Sequence, residues 1–197
     1  MILETAKKVI EAEIEALQAL LNTVDSNLES VAQMIREARG RVVITGVGKS
    51  GHIGRKIAAT LASLGTPAFF VHATEGVHGD LGMITADDVV IAISYSGGTE
   101  ETLNIVPPIR QIGAKLIALT GRPDSPLARN ADLTLDIGVR QEADPLGLAP
   151  TSSTTATLVL GDALAIALAV ARGFTREDFG KFHPGGSLGR QLRGEKT

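Results

Sequence analysis

The sequence predicts an α/β protein in which a parallel five-stranded sheet lies between two helical layers, preceded by two helices. Three observations carry that reading. In RVVITGVGKSGHIG, Arg41 to Gly54, an apolar β-branched run stops at glycines and a helical pattern begins. Short β-branched runs then alternate with helix-period segments, as strands joined by crossover helices do. The chain is 44 % hydrophobic over 197 residues, with no Trp, one Tyr and five Phe. An interior of Val, Ile, Leu and Ala suits helices packed on a parallel sheet.

The elements follow in order. Ile2, Ala6, Val9, Ile10, Ile14, Leu17 and Leu21 recur at three- and four-residue steps, giving a long amphipathic helix over residues 2–21. After NTVDS, Ser26 and Glu29 have capping-box spacing, and a second helix runs to about Ala38 before Gly40 closes it. These helices, residues 1–39, form a packing layer or an oligomer contact. Residues 40–197 hold the core and tail. Strands are expected at 42–45, 68–71, 89–93, 115–119 and 132–137, and helices at 51–64, 99–112 and 155–171. The last helix, TATLVLGDALAIALAVA, is nearly uncharged and therefore central to the fold or to a subunit interface. The tail, RGFTREDFGKFHPGGSLGRQL, reads as polar and irregular. Without a repeat or linker, one domain over 1–197 is the expectation, a three-layer αβα sandwich of flavodoxin-like type.

Composition narrows the function. A net charge of −3 supplies no basic surface for nucleic acid, and the absence of cysteine removes thiol chemistry and disulfides. The N-terminus, with acids spread through MILETAKKVIEAEIEAL, is no signal peptide, and no apolar stretch reaches the ~18 residues of a membrane span. A cytoplasmic protein is expected.

Gly46, Gly48 and Gly51 spell GxGxxG, but the next strand ends at His72 with no acid before Glu75, so the partner a dinucleotide ribose needs about 20 residues on is missing. A phosphate-binding Walker loop fails too, because its first glycine would fall at Val43. What remains is an anion site at a helix start, where amides and the helix dipole favour negative charge. The third strand ends in SYSGGTEE, which brings Ser94, Ser96 and Thr99 around Gly97 and Gly98, more hydroxyls than capping requires. Thr151 to Thr155 form a second cluster, equally readable as a cap run or as sugar contacts. His78 with His183, Glu75 and Asp80 would suffice for a divalent metal, but loop spacing gives no helical ligand geometry.

GVGKSGHIG, HGDLG, SYSGGTEE, LTGRP, QEADPLGLAPTSSTTATLVLGDALA and FHPGGSLGRQL, in that order, resemble the sugar isomerase (SIS) domain of D-arabinose 5-phosphate isomerases over about residues 5 to 193. The resemblance implies an aldose–ketose isomerase interconverting D-ribulose 5-phosphate and D-arabinose 5-phosphate, which supplies 3-deoxy-D-manno-octulosonate (Kdo) for lipopolysaccharide or capsule. It implies catalytic roles for Lys49, Glu101, Glu142 and His183, with His78 a fifth candidate, and phosphate-binding roles for Ser50, Ser94, Ser96 and Thr99. It further implies no cofactor or metal, and a homotetramer whose sites are completed across subunits, with His183 reaching a neighbour's pocket. Such proteins typically continue into paired cystathionine-β-synthase (CBS) modules, whereas this sequence ends at Thr197, the expectation for a short form. Tyr95 and Gly98 depart from the Asn and Glu frequent there. Rival readings are an isomerase for a heptose or hexulose phosphate, and a catalytically silent sugar-phosphate sensor. The chemistry itself asks for such a residue set: moving a proton between C1 and C2 through an enediol needs a base, a donor at the oxygens and charge stabilisation.

Overall fold

The computed structural model describes residues 1–184. Their elements run α1 (Ile2–Leu21), α2 (Ser26–Glu37), β1 (Val42–Gly46), α3 (Gly48–Ser63), β2 (Ala68–His72), α4 (Ala73–Gly76), a 3₁₀ turn (Asp80–Met83), β3 (Val89–Ile93), α5 (Glu100–Asn104), α6 (Val106–Ile112), β4 (Lys115–Thr120), α7 (Pro126–Arg129), β5 (Leu133–Asp136), α8 (Ser152–Ala171) and α9 (Arg176–Phe182).

Five parallel strands lie in the order β2-β1-β3-β4-β5. Val42 pairs with Ala68 on one side and with Val89 on the other. The pleat sends alternate residues to opposite faces, and each face has its own core. Val42, Ile44, Ile91, Ile93, Ile117 and Leu119 pack with residues of α2, α3 and α8. Val43, Val90, Ala92, Leu116 and Ala118 pack with Ile105, Val106, Ile109 and Leu127 from the opposite helical layer. Because both faces are covered, β1 and β3 are buried at every residue, which is why they read as unbroken apolar runs. α1 lies on α8, and α2 lies on β5 and α8, so the two N-terminal helices form a packing layer of the same body.

Four local readings change. The helix expected at 99–112 breaks at Ile105 into α5 and α6, because Pro107 and Pro108 lack the amides to continue it and instead start a new helix. Asp25, not Ser26, caps α2, its carboxylate accepting the Asn27 amide at 2.8 Å. The tail contains α9, whose TRED start is a capping box between Thr175 and Asp178. Finally, α8 begins at Ser152, and its 20 residues, with mean hydropathy 1.8 over an 18-residue window, are by length and composition enough to cross a membrane. The sequence pattern, which starts the helix at Thr155, falls short of that length. Here α8 packs on α1, α2 and α3.

Contact between α3 and α8 depends on Gly161. A β-carbon there would lie 2.5 Å from the Ile57 side chain, which is itself buried. Gly161→Val is expected to lower the unfolding free energy by about 2 kcal/mol through overpacking. In a denaturant series, combining it with Ile57→Ala should cost less than the two single changes added together.

Candidate active site

Strand order reverses direction between β1 and β3, where the chain goes to one side for β2 and to the other for β4. In open α/β sheets, ligands bind outside the carboxyl ends of the strands at such a point. The two turns singled out in the sequence, after Gly46 and after Ile93, meet there: a β-carbon on Gly46 would lie 3.0 Å from the Ile93 carbonyl oxygen.

α3 starts at Gly48, three residues earlier than expected, so Lys49 and Ser50 belong to its first turn. The N-cap is Val47, whose side chain cannot satisfy the first amides of this 16-residue helix. An uncapped helix start beside an exposed Lys49 suits an anion. Gly48 has φ +54, and a β-carbon there would meet nothing within 4 Å, so the conformation rather than the space selects glycine.

Across the crevice, Ser94 is buried, its Oγ lies 2.9 Å from Thr99 Oγ1 and it accepts the Gly97 amide at 3.1 Å. Ser94 therefore holds the turn's shape. Ser96 is exposed and accepts the Gly98 amide at 3.2 Å, while Thr99 is half-buried at the start of α5 and makes no cap bond. Gly97 has φ +60, and a β-carbon there would strike Ser125 Oγ. Ser50 and Tyr95 together line a cleft of about 40 Å³ whose far wall is Pro150, Ser153, Thr154 and Thr157. Tyr95 lies against Gly121, where a β-carbon would strike its ring.

The remaining candidates divide by location. Glu101 is exposed in the first turn of α5. His78 is exposed on the segment between α4 and the 3₁₀ turn, and α4 packs against α5, which keeps both on the β1–β3 side of the carboxyl edge. Glu142 is half-buried at the start of α8, where its Oε2 accepts the amides of Thr151 at 2.8 Å and Ser153 at 3.1 Å. His183 follows α9, its ring stacked 3.8 Å from Phe179 with Nδ1 2.8 Å from the Phe179 carbonyl oxygen. α9 lies at the opposite edge of the sheet: Phe182 stacks on Phe174, Phe174 packs against Gly65 beyond the end of α3, and Arg172 donates to the Gly65 carbonyl. Since α3 alone spans about 24 Å at 1.5 Å per residue, His183 and Lys49 of one chain do not meet. The rest of the FHPGGSLGRQL motif, 185–193, lies outside the described residues.

Two features went unread in the sequence. His72, at the end of β2 in register with Gly46, accepts the Thr74 amide and starts α4. At the ends of β4 and β5, Arg140 pairs with Asp136 at 2.7 Å and donates to the Gly121 carbonyl, with Arg122 nearby over Tyr95. Burial pushes the Asp136 carboxyl up, but the Arg140 hydrogen bond, the Gly138 amide and the Arg140 and Arg122 charges outweigh it and hold it below the usual carboxylate range. The Asp136–Arg140 spacing is visible in the sequence but falls in a stretch that reads as irregular. Among the described residues, no three His, Asp or Glu side chains converge as on a metal ion.

The family model of the SIS domain matches residues 34–167. The chain belongs to the SIS domain family. This SIS chain is 56 % identical over 190 residues to the arabinose 5-phosphate isomerase KdsD of Pseudomonas aeruginosa, and 55 % identical over 189 residues to KdsD of Escherichia coli K12. Each match covers 96 % of this chain, which spans 58 % of the length of either relative. The solved structure of E. coli CFT073 c3406 in complex with arabinose 5-phosphate superposes with a TM-score of 0.91 at 48 % identity, covering 93 % of this chain and 97 % of that one.

Gly97→Ala should destabilise the SIS chain by about 1–3 kcal/mol, combining a left-handed φ with the Ser125 clash. It should also weaken inorganic phosphate binding, as read by calorimetry. The Lys181 hydrogen bond, then those from the Thr175 hydroxyl and amide, hold Asp178 down to about 2, from an ordinary 3.8. Its contribution to α9 is therefore present above pH 3.8 and lost as pH falls through about 2. An NMR titration of the Asp178 carboxyl, followed with the amide of the same residue, checks this.

Proposed function

We propose that this chain is an aldose–ketose isomerase that interconverts D-ribulose 5-phosphate and D-arabinose 5-phosphate through an enediol. The observation that carries the reading is the near-complete match, at 48 % identity, to a solved SIS structure in complex with arabinose 5-phosphate. The crevice between β1 and β3 supplies chemistry of the right kind. The uncapped start of α3 with Ser50, and the turn carrying Ser96 and Thr99, bind the phosphate, while buried Ser94 keeps that turn in shape. Lys49 balances the charge of phosphate or enediolate. Glu101 and His78 move protons between C1, C2 and their oxygens, His78 having an ordinary titration range near neutrality. No cofactor or metal enters these steps.

His183 takes part from a second copy of the chain. Two observations support this: within one chain it lies at the wrong edge of the sheet, and the cleft beside Ser50 and Tyr95, about 40 Å³, is far below the roughly 300–1,000 Å³ of sites that enclose small ligands. Exposed apolar residues are available for the contact: Ile10 and Ile14 on α1, Leu146 and Leu148 on the loop before α8, and Ile166 and Val170 on α8. The assembly we propose is a cytoplasmic homotetramer whose product feeds Kdo synthesis.

Incubation with D-ribulose 5-phosphate should yield D-arabinose 5-phosphate, and a panel of hexulose and heptose phosphates should react far more slowly. A protein that binds these esters without converting any of them would be a sensor instead. Lys49→Ala should lower kcat/KM by about 10²-fold or more, within the range of lost acid–base or charge stabilisation. Mixing inactive Lys49→Ala and His183→Ala chains should restore part of the activity. No recovery in verified mixed oligomers would count against a shared site.

A further inference from the structure

Glu142 is held unlike the other candidate residues. Its Oε2 accepts three hydrogen bonds, from the Thr151 amide at 2.8 Å, the Ser153 amide at 3.1 Å and the Thr151 hydroxyl at 3.3 Å. The Thr151 hydroxyl in turn accepts the Ala143 amide at 2.9 Å, which closes a reciprocal clasp between loop and helix. Thr151 stands at the N-cap position of α8 without capping it through its own side chain. The carboxylate does that from nine residues upstream. Asp144 continues the arrangement, accepting the amides of Leu146, Leu148 and Ala149, so two carboxylates shape the segment from 142 to 151.

The helix start needs such a clasp. The hydroxyls of Ser152 and Ser153 are buried there with no hydrogen-bond partner among the described residues, a cost that opposes starting α8 at this point. A negative charge on the first amides of a 20-residue helix offsets it. The same turn places Ser153 and Thr154 as one wall of the cleft that Ser50 and Tyr95 line. Glu142 itself borders a groove against Ala12, Glu15 and Ala16 of α1, whose lining includes none of Lys49, Ser94, Ser96 and Thr99.

We propose that Glu142 is a positioning residue that caps α8 and so fixes the Ser153–Thr154 wall of the substrate cleft, and that it carries no proton in the reaction. This rests on the isomerase reading for its kinetic part only. Glu142→Ala should raise KM about tenfold or more with kcat within about threefold of the parent, because the wall moves while Lys49, Glu101 and His78 stay in place. The Thr151 and Ser153 amides should exchange at least about tenfold faster in that variant. Glu142→Gln keeps a carbonyl oxygen able to accept both amides. It should rescue KM and amide protection and retain both limbs of the pH–rate profile. If Glu142→Gln loses as much kcat as Glu142→Ala while its Thr151 and Ser153 amides stay protected, Glu142 is a proton carrier and the proposal is overturned. It is equally overturned if those amides exchange in Glu142→Ala as slowly as in the parent. Should Glu142→Ala fail to fold, the kcat, pH profile and protection of Glu142→Gln decide alone. Were the parent inactive on D-ribulose 5-phosphate, the isomerase reading would fall, and the amide exchange would still decide the cap.

Discussion

Hydrogen bonding between β1 and β3, from Val42 opposite Val89 to Thr45 opposite Ala92, is the contact on which the rest of the molecule depends. It brings together two strands whose following turns are rich in glycine and hydroxyls. It also makes the boundary at which the connections diverge, so a crevice must open there between α3 and the start of α5. Shifting this register by one residue would exchange Ile44 and Ile91 for Val43 and Val90 between two differently shaped cores, which is why it is strongly specified.

Around that crevice the chain distributes its own negative charge selectively. Asp25 caps α2, Glu142 caps α8, Asp178 caps α9, and Asp144 gathers three loop amides. At the opposite edge, buried Asp88 accepts the amides of Arg41 and Thr85. The long helix left without a side-chain cap inside the core is α3, beside Lys49. Helix-start amides are therefore satisfied internally where stability is at stake and left available where an anion is to be received.

Much of this was legible in the sequence, for identifiable reasons. The strands announced themselves because burial on both faces demands unbroken β-branched runs, and the glycine turns because positive φ at Gly48 and Gly97 excludes other residues. The break at Ile105 was written in Pro107 and Pro108, and α9 in Thr175 and Asp178, but a strong period across the first and a glycine-rich tail around the second obscured them. The roles of Glu142 and His183 were harder. A cap contributed from nine residues away has no local pattern, and the edge of the sheet to which a tail returns is fixed by contacts such as Phe174 on Gly65 rather than by the tail's own residues. Among the hydroxyls, sequence ranks Ser94 with Ser96, and only packing separates the inward-facing one from the outward-facing one.

The phenol ring resting on Gly121 ties two distant segments of the chain into one evolutionary unit. As long as an aromatic stands at 95, any β-carbon at 121 is sterically forbidden, so glycine there is inherited from its neighbour rather than demanded by its own backbone. A lineage that replaced Tyr95 by something as small as asparagine would release that restraint, and substitutions at the two sites would then be found travelling together.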